Sequence, residues 1–86
     1  MKIKLIEVME DLPFYYIRLK VNDVMLIIDI EPGGENGYTW EFDAYRFDKS
    51  NSYHLEIMNI QKLILENKTE FDNFIHKVVD RFELYK

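Results

Sequence analysis

Residues 14–44 alternate apolar and polar side chains over three consecutive segments, and the breaks between them fix how those segments pair. Tyr15, Ile17, Leu19 and Val21 form one apolar set, Val24, Leu26, Ile28 and Ile30 a second, and Tyr38, Trp40, Phe42 and Ala44 a third. A period of two marks a half-buried strand. The first break is Asn22-Asp23, two residues that tolerate positive φ and suit a tight hairpin turn. The second is Pro32-Gly33-Gly34-Glu35-Asn36-Gly37, where Pro and Gly punctuate the chain. A two-residue turn pairs Val21 with Val24, Leu19 with Leu26 and Ile17 with Ile28. A loop at 33–37 pairs Ile30 with Trp40, Ile28 with Phe42 and Leu26 with Ala44. A slip of one residue would send a whole set to the wrong side. All three sets share one face, so the pattern specifies an antiparallel meander.

The flanks extend this frame. Residues 2–9 read as a first strand with a conflict, since Ile3 and Leu5 fall on one side and Ile6 and Val8 on the other. A bulge near Glu7 or an edge position reconciles them. Glu10-Asp11-Leu12-Pro13 reads as a turn. Near the C-terminal end, Phe71, Phe74, Ile75, Val78, Val79, Phe82 and Tyr85 recur at helical spacing, with Thr69 and Asp72 expected as a capping pair. Ile57, Ile60 and Ile64 suit another helix. Tyr53, Leu55 and Ile57 also alternate, so 53–58 admits a fifth strand with a short helix opening at Asn59; the helix is preferred. The expected fold is α+β, one domain over 1–86: a four-stranded antiparallel β-meander followed by two α-helices packed on one face. The other face is left to solvent or a partner.

Composition narrows the class. The 86 residues are 48% hydrophobic and 15% aromatic, which argues against disorder. There is no cysteine, which excludes disulfides and thiolate metal sites. The opening MKIKLIEVMEDLP does not read as a signal peptide, and no apolar run has the length of a membrane span. A soluble, cytoplasmic chain is expected. The net charge of −5 argues against direct nucleic-acid binding, which needs clustered Lys and Arg.

That charge is concentrated. Residues 24–48 hold Asp29, Glu31, Glu35, Glu41, Asp43 and Asp48 against Arg46 alone, a balance of −5, while 1–23 and 49–86 each sum to zero. The register puts Asp29 opposite Glu41 on the outer face, with Glu31 and Asp43 two residues along. Opposed like charges destabilise a strand pair. Tyr16 and Phe14 border the patch, and Tyr45, Phe47 and Met25 extend its apolar rim.

Three readings fit the patch: a solvated face balanced by Arg18, Lys20 and Arg46; a protein-binding face with aromatic anchors and electrostatic steering; or a hard-cation site. Flat strands converge poorly on an ion, and no metal or cofactor is expected. EPGGENG lacks the spacing of a phosphate loop and joins two strands, so it reads as a hairpin tip, with Glu35 a contact there. His54, Ser50 and Ser52 show no triad or elbow signature, and His76 reads as a helix-surface residue beside Asp72 and Asp80. The expected function is non-enzymatic: inhibition or neutralisation of a basic protein partner, nucleic-acid-binding proteins being one version of it, through Asp29, Glu31, Glu41, Asp43, Tyr16, Tyr45, Phe47 and Glu35. Small size, acidity and lack of a catalytic signature are shared with immunity proteins for toxins and phage-encoded inhibitors of host nucleases. The likeness is one of composition, and no residue carries over from it. The alternatives are a self-associating assembly module, which leaves monomer and homodimer open, and a carboxylate-based metal-dependent enzyme.

Overall fold

The computed structural model describes residues 1–43 and 54–85, and the structural statements below concern these. The elements are β1 (Ile3–Asp11), β2 (Phe14–Val21), β3 (Val24–Pro32), β4 (Tyr38–Phe42), α1 (His54–Glu66) and α2 (Lys68–Arg81). The strands form one antiparallel sheet in the order β1-β2-β3-β4, the expected meander. Val21 pairs with Val24, Ile17 with Ile28, Ile30 with Trp40 and Ile28 with Phe42. The pairing expected between Leu26 and Ala44 falls outside the described residues.

Local chemistry explains the register. Asn22 and Asp23 take φ of 49° and 68°, which is the double left-handed conformation of a type I′ turn, whose twist matches the flanking strands. Lys2 holds that turn against β1: its amide donates to Asn22 Oδ1 and its carbonyl accepts from the Asn22 amide, both at 2.9 Å. The conflict in the first strand is resolved by a bulge between Leu5 and Glu7. Ile6 is the extra residue, so Ile3, Leu5 and Val8 all reach the inner side, opposite Val21, Leu19 and Ile17.

The inner face is the core. Ile17, Leu19, Val21, Leu26, Ile28 and Ile30 are fully buried against Ile57, Ile60 and Ile64 of α1 and Phe71, Ile75, Val78 and Val79 of α2. Burying each large aliphatic side chain contributes roughly 1.5–3 kcal/mol, so this face dominates stability. Residues 54–58 are helical, and the Ile57, Ile60, Ile64 stripe explains why: one continuous helix puts all three on its buried side. Tyr53 lies outside the described residues.

Both ends of α2 differ from the sequence expectation. Thr69 and Asp72 are not a capping pair. α1 ends at Glu66 and α2 restarts at Lys68 after Asn67 alone, so Thr69 already sits inside the first turn, and Asp72 bonds elsewhere. No side chain caps this end; the Asn67 carbonyl simply accepts from the Phe71 amide. At the other end the helix stops at Arg81, which leaves Phe82 43% exposed and buries Leu84 instead. Glu83 takes φ of 54°, its amide donates to the Asp80 carbonyl, and the Leu84 amide donates to the Val79 carbonyl. That is a Schellman motif with its accompanying apolar contact. Tyr85 then donates its hydroxyl to the Ile30 carbonyl, tying the chain end to the middle of the sheet.

Candidate functional site

The outer face of the β3–β4 hairpin carries the acidic patch. Residues of β3 at odd positions and of β4 at odd positions point away from the helices. Asp29 stands opposite Glu41, and Glu31 opposite Thr39. One carboxylate oxygen from each of Asp29, Glu31 and Glu41 lies within 4.8 Å of the other two. Glu31 bonds to Glu41, and that hydrogen bond, with the neighbouring negative charge and some burial, raises the Glu31 carboxyl above its ordinary value. Crowded carboxylates favour keeping a proton between them. Arg18, expected among the balancing cations, forms an ion pair with Glu7 of β1 at 3.2 Å, on the side of β2 away from the patch.

The face is not uniformly open. Asp43 has the register expected of it, with its amide donating to the Ile27 carbonyl at 3.0 Å, but the residue is only 4% exposed and Ile27 is 9% exposed. Alternation fixes the side a residue points to, not whether that side is open. Asp43 is therefore not an exposed partner contact, and the accessible trio is Asp29, Glu31 and Glu41. Tyr16, opposite Asp29 on β2, is half-buried beside them, Phe14 is exposed at the border, and Glu35 is exposed at the hairpin tip. Tyr45, Phe47, Arg46 and Asp48 lie outside the described residues, as do Ser50 and Ser52.

A hard cation could draw on the three carboxylates, each presenting an oxygen from one side of a flat strand pair. Such a platform supplies half or fewer of the oxygens that calcium takes. Acid–base chemistry would need the Glu31–Glu41 pair to hold a substrate away from water; among the described residues Glu41 is exposed.

Sequence reasoning missed a second feature. A groove of about 750 Å³ runs along β4, lined by its residues Tyr38 to Phe42 and by Leu65, Lys68, Asp72, Asn73 and His76. Lys68, Asp72 and His76 follow at intervals of four, one row of α2. Trp40 Nε1 donates to Asp72 Oδ1 at 2.7 Å, and Lys68 Nζ donates to Asp72 Oδ2 at 2.9 Å. Burial pushes the Asp72 carboxyl up, but the hydrogen bonds from Lys68 and Trp40, with the Lys68 charge, outweigh it and hold the group below its ordinary value. Tyr38 meets His76 Nδ1 through its hydroxyl at 3.1 Å. Burial, then the Asp72 charge, raise the Tyr38 hydroxyl above the usual tyrosine value, so it is neutral at physiological pH. Trp40 also packs edge-on against Phe71 and Phe42. Two aromatic residues alternating on β4, with an acid and a histidine four apart on α2, were the only sequence signal for this contact.

The chain matches no family model, no curated protein and no solved structure.

Proposed function

We propose that this chain is a small non-enzymatic binding protein of the cytoplasm that inhibits or neutralises a basic protein partner, docking it on the outer face of the β3–β4 hairpin. The observation that carries this reading is the trio Asp29, Glu31 and Glu41, with carboxylate oxygens within 4.8 Å of one another on the outer face, Glu41 exposed and the other two half-buried. Folding does not require the arrangement. The core lies on the opposite face, and a neutral residue at any of the three positions would keep the strand alternation. Like charges held this close favour a cationic partner, whose guanidinium or ammonium groups would pair with the carboxylates. Arginine suits the site best, because its planar fork meets carboxylates in bidentate fashion. Tyr16 and Phe14 give the patch an aromatic border of the kind that anchors interfaces, and Glu35 extends the negative field to the hairpin tip. Such a field accelerates encounter with a basic surface and weakens as salt screens it. A surface that binds nucleic acid is the natural counterpart, since carboxylates would compete there with phosphates.

The test is capture of partners from a cell extract on the immobilised protein, repeated at rising salt. The reading expects a basic protein that is retained at low ionic strength and released as salt rises. Partners that are neutral or acidic, or retention independent of salt, would overturn it.

A further inference from the structure

We infer that the partner is engaged by strand addition: an extended segment with alternating basic and apolar residues pairs antiparallel with the edge of β4 that is unpaired among the described residues, as a further strand of the sheet. This rests on the proposed function and names the form of the bound segment.

The backbone directions come from the register. The Asp43 amide bonds the Ile27 carbonyl, so Asp43–Ile27 is a hydrogen-bonded pair. In an antiparallel ladder such pairs recur at every second residue, which makes Glu41–Asp29 and Thr39–Glu31 the next two. The two-residue turn at 22–23 gives the same phase independently. It makes Val21–Val24 a hydrogen-bonded pair, so Leu26, Ile28 and Ile30 also bond towards β2, and the odd residues of β3 towards β4. The amides and carbonyls of Trp40 and Phe42 therefore point away from the sheet, towards the groove. Among the described residues, no backbone bond to them is formed from that side.

The two edges of the sheet differ. β1 carries the devices that block pairing: a bulge at Ile6 and charged residues at Lys4, Glu7, Glu10 and Asp11. β4 reads Tyr-Thr-Trp-Glu-Phe, with no bulge, lysine or proline. Beside it lies the groove of about 750 Å³, lined by β4 and by the Lys68, Asp72, His76 row of α2, which the Trp40 and Tyr38 side chains reach from β4. An exposed sheet edge beside a pocket for alternate side chains is the arrangement in which peptides add to a sheet.

Charge selects the occupant. In an added strand, residues opposite Thr39 and Glu41 project on the outer face, beside the carboxylate trio, and these positions suit arginine or lysine. Residues opposite Trp40 project into the groove over the aromatic rings, and these positions suit apolar side chains. A second copy pairing β4 with β4 about Trp40 would instead merge two acidic trios on one surface, which like-charge repulsion opposes.

The test uses a capped heptapeptide of alternating arginine and valine, with two isomers of identical charge. In one, the valine amides, which face Trp40 and Phe42, are N-methylated; in the other, the arginine amides, which face away, are. Titration calorimetry on the intact protein should show the valine-methylated isomer bound at least about tenfold more weakly than the parent, since its donors to the Trp40 and Phe42 carbonyls are removed. The arginine-methylated isomer should bind within about twofold of the parent, and the parent should slow amide exchange at Trp40 and Phe42. Equal affinity of the two isomers would overturn strand addition while leaving the acidic face as a docking site. A dimer in light scattering that the peptide fails to dissociate would assign the edge to a second copy and overturn the inference. Parent affinity unchanged by Glu41→Lys would count against the electrostatic reading itself.

Discussion

Replacing Glu41 by glutamine removes one charge from the trio and keeps the side chain's length and strand position. Glu41 opposes Asp29 directly, and directly opposed like charges cost roughly 0.2–1 kcal/mol. Glu41 is exposed and Asp29 half-buried, so water screens the pair and a gain of about 0.5 kcal/mol is expected. For a domain of this size that is about 2–4 °C in Tm, or roughly 0.2–0.5 M in the urea midpoint. Urea is the suitable denaturant because guanidinium is itself a salt. The gain should be largest near 0.01 M salt and nearly vanish near 1 M, where the screening length falls to about 3 Å. The pH dependence has a defined sign. Glu31 is raised by its hydrogen bond to Glu41 and by the Glu41 charge, so the folded chain holds this proton at a higher pH than the unfolded chain. The crowding cost is full at neutral pH and disappears as pH falls through the raised value, so stability rises on that side. In the Glu41→Gln variant this rise should be reduced. A lower urea midpoint for the variant, or a gain of equal size in 1 M salt, would refute electrostatic crowding on this face.

Asp72→Ala should cost about 1–2 kcal/mol, discounted for exposure, because a charge-assisted bond to Trp40 and an exposed pair with Lys68 are lost; combined with Trp40→Phe in a double-mutant cycle, the coupling should be about 1 kcal/mol. Asp72 is held low, so its contribution should persist above the ordinary aspartate value and be lost only as pH falls through its lower folded value, as acid titration of the fluorescence of Trp40, the chain's single tryptophan, would show. Glu83→Gly should stabilise by about 0.5–1 kcal/mol in urea melts, since glycine adopts the left-handed conformation at the end of α2 without steric cost but loses more entropy on folding.

Much of the fold is legible in the chain because its constraints are local. The I′ turn at Asn22-Asp23 and the period-two sets determine the whole β2–β3–β4 register, and the opposition of Asp29 and Glu41 follows from that register alone. The bulge at Ile6 is legible as a conflict between Leu5 and Ile6. What fails is information about depth and distant contacts. Alternation puts Asp43 on the outer side but says nothing of its burial. Helical spacing extends the apolar stripe through Phe82, whereas Glu83 turns the chain so that Leu84 is buried in its place. The Trp40–Asp72 and Tyr38–His76 contacts join residues more than thirty positions apart, and their pairing depends on how α2 is set on the sheet. Asp72 reads as a capping residue because short-range rules see only its own helix. The groove beside β4 belongs to the same class, being formed between elements rather than within one.

The central claim is that Glu31 and Glu41 recognise a basic partner. It is tested most directly by comparing the proteins captured from one extract by the wild type and by a Glu31→Lys, Glu41→Lys variant whose fold is verified by circular dichroism. Both residues lie on the open outer face away from the core, so the fold should survive their reversal. A basic protein retained by the wild type at low salt and absent from the variant is the expected result. The same protein retained equally by both would contradict the claim and leave the carboxylates as a solvated face.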